Sequence, residues 1–251
     1  MDAYPGLAWW FVLPAAVWVV YTLDHLVDDW ERKHPGLFGA MTYHSKYRLH
    51  LLAAVLILSA VLILVSWLWL DRRIFYFGLF LGGVIAIYIA LIYLFRKRKD
   101  KVIVKKLLIS LAYTLGIWGA PIVLAGELNQ YQMLIILLFW LMALANTYLY
   151  TLFERANVPL KDAKDSTEKA FSGPAAKFIK LVLFLAVLIA FLSLWLFEDY
   201  PYTFLYALAL IILMDLSMFL IQTFSQSFSR SGRYKPAIEL VFLLPFLIVF
   251  S

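Results

Sequence analysis

Tyr21-Thr22-Leu23-Asp24-His25-Leu26-Val27-Asp28-Asp29-Trp30-Glu31-Arg32 follows directly on an apolar run from Leu7 to Val20. Four carboxylates thus crowd the mouth of a segment that by composition belongs in lipid, an arrangement that is costly unless a cation or water meets them. Asp24 and Asp28 are four apart, so on a helix they project one above the other from one face. Two stacked carboxylates are a hard-oxygen pair suited to Mg²⁺, which usually takes one or two carboxylates together with substrate phosphates. The plainer alternative is an acidic helix end that is solvated or paired with nearby basic residues.

The rest of the composition fixes the surroundings of that junction. Of 251 residues 64% are hydrophobic and 15% charged, and the mean hydropathy is +0.85. Such a chain is an integral membrane protein. It has no cysteine, which excludes disulfides, thiolate metal sites and a cysteine nucleophile. Met1 to Gly6 lacks the basic start of a cleavable signal peptide, so the first apolar run is expected to remain a helix. The net charge of +6 sits in separate loop clusters, which argues against a nucleic-acid partner.

Windows of about twenty apolar residues predict a single transmembrane domain, an all-α bundle with eight spans near 5–23, 49–70, 74–95, 104–125, 130–152, 176–197, 202–224 and 236–251. Twenty of the 22 Lys and Arg fall in the first, third, fifth and seventh connections, and only Arg72 and Arg73 fall elsewhere. The positive-inside rule places those four loops in the cytoplasm and both termini outside, the expected home being a bacterial inner membrane.

A second acidic constellation follows span 5. Glu154, Asp162, Asp165 and Glu168 are interleaved with cations, and Asp162 and Asp165 are one helical turn apart. Asn146, Thr147, Tyr150 and Thr151 add polar groups to the end of that span, which should face protein or water rather than lipid. A solvated, salt-bridged loop accounts for the acids equally well. Two acidic clusters on one membrane face suit a diphosphate carried through Mg²⁺, since the metal inverts the sign of the carboxylates. Lys46, Arg48 and the basic run from Arg96 and Lys97 to Lys106 would take the remaining phosphate oxygens, unless that run serves only as a topological anchor.

In this layout the chain resembles the UbiA superfamily of intramembrane prenyltransferases. Those proteins carry one Asp-rich motif after their second helix and another after their sixth. Here Asp24-x-x-x-Asp28 follows span 1 and Asp162-x-x-Asp165 follows span 5, the same interval of four helices, as in a chain lacking the family's first helix. Tyr93-Leu94-Phe95-Arg96-Lys97-Arg98 is similar to the family's tyrosine-and-basic segment, and Gly116, Gly119 and Pro121 fall where it has a Gly/Pro-rich helix. The family's leading Asn falls at Val20, and Tyr150-x-x-x-Glu154 ends span 5. The resemblance implies Mg²⁺ at Asp24, Asp28, Asp162 and Asp165, which would be the catalytic residues. It implies diphosphate contacts at Lys46, Arg48, Arg96 and Lys97, and transfer of a prenyl group from a prenyl diphosphate to an apolar acceptor within membrane lipid. The alternative is a catalytically inactive UbiA-like scaffold or lipid-binding subunit with membrane-protein partners.

Other chemistries lack their motifs. The first acidic stretch has no Gly for a CDP-alcohol phosphotransferase signature, four histidines are too few for a membrane desaturase, and neither G-x-S-x-G nor H-E-x-x-H occurs. Asp215 remains unabsorbed inside span 7, where a carboxylate costs about 2.5–3.5 kcal/mol on insertion scales unless it faces a partner or water. Glu239 near the start of span 8 is expected to reach the interface.

Overall fold

The computed structural model describes residues 6–31, 47–94, 101–156, 171–197, 200–231 and 233–242. Every element among them is an α-helix: α1 (Leu7–Glu31), α2 (Arg48–Trp69), α3 (Arg72–Leu94), α4 (Lys101–Ala125), α5 (Gln130–Ala156), α6 (Pro174–Leu196), α7 (Tyr202–Thr223), α8 (Ser225–Ser231) and α9 (Tyr234–Val241). Among the described residues, five stretches are long and apolar enough to cross a membrane: Arg48–Trp69, Lys105–Ala125, Gln130–Glu154, Pro174–Leu196 and Tyr202–Thr223, with Leu7–Leu23 a shorter apolar helix. The protein is therefore a membrane helix bundle. Exposed aromatic residues such as Trp69, Tyr76, Trp195 and Tyr202 sit at helix ends, where an amphipathic ring meets the bilayer surface.

The chain forms two compact units, Met1–Leu108 with Ala112–Leu128, and Ile109–Leu111 with Asn129–Ser251. In the first, Val12 and Val19 of α1 pack with Val55 and Leu62 of α2, and Leu70, Ile74 and Ala120 extend the cluster. Asp71 starts α3 as an N-cap, its carboxylate accepting the Arg73 backbone N–H at 2.8 Å, which satisfies one of the helix's orphan donors. Arg72 lies 3.6 Å over the Trp67 ring, closing the tight α2–α3 turn. The antiparallel pair α3–α4 has no room at Gly119, where a Cβ would run into the Phe77 ring. At its other end the Tyr88 hydroxyl donates to the Lys105 carbonyl at 3.3 Å.

The second unit opens with a capping box. The Asn129 side chain accepts the Gln132 N–H at 2.9 Å, and the Gln132 side chain accepts the Asn129 N–H at 3.0 Å. Antiparallel α5 and α6 meet through Tyr131–Phe197 and Tyr148–Phe178 ring contacts at 5.2 and 5.0 Å. Antiparallel α7 is tied to α6 where the Gln222 amide donates to the Ala176 carbonyl at 2.8 Å. The seam on α6 uses small residues, with Ala176, Ala186 and Ala190 fully buried, which lets helix backbones approach in lipid.

Two helices outrun the spans expected from hydropathy. α1 continues to Glu31 because no Gly or Pro interrupts residues 15–34 and buried Leu26 holds the added turns. α5 continues to Ala156 because Phe153 is stacked on Tyr234 at 4.9 Å and meets Phe171 edge-on at 4.8 Å. Of the span expected over 236–251, α9 covers only the opening, and residues 243–251 lie outside the described residues.

Candidate functional site

The acidic pair sits on the last turns of α1. Because that helix is unbroken from Leu7 to Glu31, positions 24 and 28 are one turn apart on a single face. Earlier on the same helix, Val12 and Val19 pack on α2, while Pro14, Val17 and Tyr21 are exposed. The donor set fits a hard divalent cation, which takes carboxylate oxygens without needing nitrogen or sulfur. The side chains of Asp24 and Asp28 are outside the described ones.

Arg48, the first residue of α2, is half-buried. Lys46, Arg96, Lys97, Asp162 and Asp165 lie outside the described residues, and with them lies the convergence of the two acidic loops. Among the described residues no group of three or more His, Asp or Glu side chains has metal-site geometry. An apolar cleft of about 580 Å³ is lined by Leu7, Ala8, Phe11, Val65 and Trp69. It lies roughly 24 Å along α1 from Asp24 at 1.5 Å per residue, so it is not part of an acidic-end site.

Two polar features were missed by sequence reasoning or only half seen. On α4, Lys106, Ser110 and Thr114 are all buried, at 7%, 0% and 1% exposure. Their spacing of four put them on one face, and that repeat within an apolar span was the available signal. On α7, Asp215 is buried together with Gln222, seven residues further along the same stripe. Among the described residues, both carboxyl oxygens of Asp215 and the Oε1 of Gln222 have no hydrogen-bond partner, and neither has the Oδ1 of Asn146 on α5.

No family model, curated protein or solved structure matches the chain. Function must therefore be argued from these residues alone.

Proposed function

We propose that the chain is an eight-span, UbiA-like prenyltransferase, moving a prenyl group from a prenyl diphosphate to a lipid-soluble acceptor with Mg²⁺ assistance. The observation that carries this reading is the continuity of α1, which keeps Asp24 and Asp28 in i, i+4 register at the end of an apolar helix. In this proposal Asp24 and Asp28 hold one side of the metal–diphosphate assembly and Asp162 and Asp165 the other. Bound there, Mg²⁺ withdraws charge from the leaving diphosphate. Lys46, Arg48, Arg96 and Lys97 take the oxygens left over, and the prenyl tail stays in the apolar interior. The charge bias puts these groups on the cytoplasmic face and both termini outside.

A thermal-shift series with and without Mg²⁺ and a prenyl diphosphate tests the reading. Like charges one turn apart repel when no metal is bound, so Mg²⁺ should stabilise the protein by about 2.7 kcal/mol at a hundredfold excess over Kd. Replacing Asp24→Asn with Asp28→Asn should abolish that gain and leave the metal-free protein at least as stable. A protein indifferent to Mg²⁺, and destabilised by the double substitution, is instead a scaffold whose carboxylates pair with its own cations.

A further inference from the structure

The second unit contains a buried carboxyl group that the described residues around it do not answer. Asp215 is 1% exposed and both of its oxygens lack a partner. It lies well inside α7, roughly 12 Å from the Thr223 end and 20 Å from the Tyr202 end at 1.5 Å per residue. The register carried by the Gln222–Ala176 hydrogen bond and the Tyr131–Phe204 ring contact sets it level with residues 183–186 on α6 and Met142–Ala143 on α5. Of these, Met142, Ala143, Leu183 and Ala186 are apolar and buried, while Phe184 and Leu185 face outward.

The hydroxyls nearby are committed elsewhere. The hydroxyls of Thr147, Thr151, Ser193 and Ser217 each donate to a carbonyl of their own helix. One N–H of the Gln222 amide is committed to Ala176, and the amide oxygen has no partner among the described residues. Asn146, one turn closer to the Thr223 end, also presents an unpartnered oxygen. Among the described residues of this unit, the one buried donor without a partner is the Trp140 indole N–H, a neutral dipole. Among the described side chains of the helices packed against α7, the charged or titratable groups are Tyr131, Tyr148, Tyr150 and Glu154 on α5, Lys177 and Lys180 on α6, and Tyr234, Lys235 and Glu239 on α9, while the side chains of Arg155 on α5 and Arg230 on α8 are outside the described ones. Lys177 and Lys180 are exposed, and the Lys235 ammonium lies over the Tyr150 and Tyr234 rings at 5.9 and 6.0 Å. On α7 itself, Tyr202 and Tyr206 are exposed near its start.

What remains is a set of acceptors in an apolar, buried core: two carboxyl oxygens, one amide oxygen a turn away and another two turns away. Such a set attracts positive charge. We propose that Asp215 is a cation-binding residue, taking a proton or a sodium ion stripped of water, with Gln222 and Asn146 supplying oxygens between it and the Thr223 end of α7. This does not depend on the prenyltransferase reading, because it uses none of the acidic-loop residues.

The test uses the purified full chain, unmodified and as Asp215→Asn, which keeps shape and removes the charge. Dicyclohexylcarbodiimide, an apolar reagent for protonated carboxyls, should label Asp215, as read by peptide mass spectrometry. A sodium site predicts about tenfold protection by NaCl over choline chloride at tenfold excess over Kd. A proton site predicts a label indifferent to sodium that falls about tenfold per unit as pH rises past the group's titration. The melting temperature of the unmodified protein should follow the same variable, and that of Asp215→Asn should not. Melting curves that shift equally in the two proteins, or an Asp215 label indifferent to both sodium and pH, overturn the proposal. Should Asp215→Asn fail to fold, the unmodified protein decides alone, and an absent label then overturns it.

Discussion

The two units solve the same problem, apolar helices in an apolar solvent, in opposite ways. In Arg48–Trp69 of the first unit only 11% of the most apolar window is buried, whereas in Gln130–Glu154 of the second 44% is. Hydropathy does not account for this, since α2 is the more hydrophobic of the two. Lipid tails satisfy a leucine as well as a protein core does, so burial follows from close approach and polar ties. α2 is rich in Leu, Ile and Val and turns most of them outward. α5 and α6 bury Ala143, Ala145, Ala186 and Ala190, and Gln222 ties α7 to α6. Acids differ between the units too: Asp24, Asp28 and Asp71 of the first lie at helix ends, and the second hides Asp215 inside a helix.

The largest effect that sharpens this contrast is expected at Phe153. Its ring is fully buried between Tyr234 and Phe171, so Phe153→Ala should cost about 3 kcal/mol through lost contacts and a cavity. Phe191→Ala removes the same group from an exposed place on α6 and should change the melting temperature little. Equal losses in the two variants would mean that the second unit is not packed as tightly as its burial implies.

A smaller effect probes the sparser first unit. Gly119→Leu gains helix propensity, yet its Cβ displaces the Phe77 ring, and the ring must swing aside. A net loss of about 1 kcal/mol is expected, at the low end for overpacking because a side chain and not backbone gives way. In a Phe77→Ala background the same substitution should be neutral or stabilising, a coupling that a double-mutant cycle measures. An undiminished loss in that background would show that the two helices do not meet at this pair.

The helices were legible because each span is a long apolar run, and hydropathy detects such runs whatever they pack against. Their ends were less so. α1 and α5 outrun their apolar windows because Leu26 and Phe153 anchor turns that hydropathy scores as polar. Of the site, only the i, i+4 spacing of Asp24 and Asp28 could be foreseen, since it needs nothing but a continuous helix. The sequence flagged Asp215 by its cost in lipid, but not the commitment of its neighbours' donors, which depends on rotamers and on pairings as distant in sequence as Gln222 with Ala176. Lys106 was read only as the end of a basic run, and Ser110 and Thr114 were passed over although their spacing of four places all three on one helix face.

The smallest effect is expected at Asp71, the exposed counterpart of Asp215. The Arg73 backbone N–H, then its guanidinium, hold the Asp71 carboxyl below its usual range, the guanidinium Nε lying 3.2 Å away. A lowered value means that the stabilisation is fully present above the unfolded carboxylate's titration near about 3.9 and is lost as pH falls through the folded one. Because the pair is solvent-exposed, its worth is small and screened by salt. Asp71→Asn keeps a side chain that can cap α3 and removes only the charge. The unmodified protein should therefore melt slightly higher than Asp71→Asn near neutral pH, with the gap closing on acidification and shrinking in high salt. A gap that survives at low pH would show that Asp71 acts through capping geometry alone, and that the charge of this turn contributes nothing.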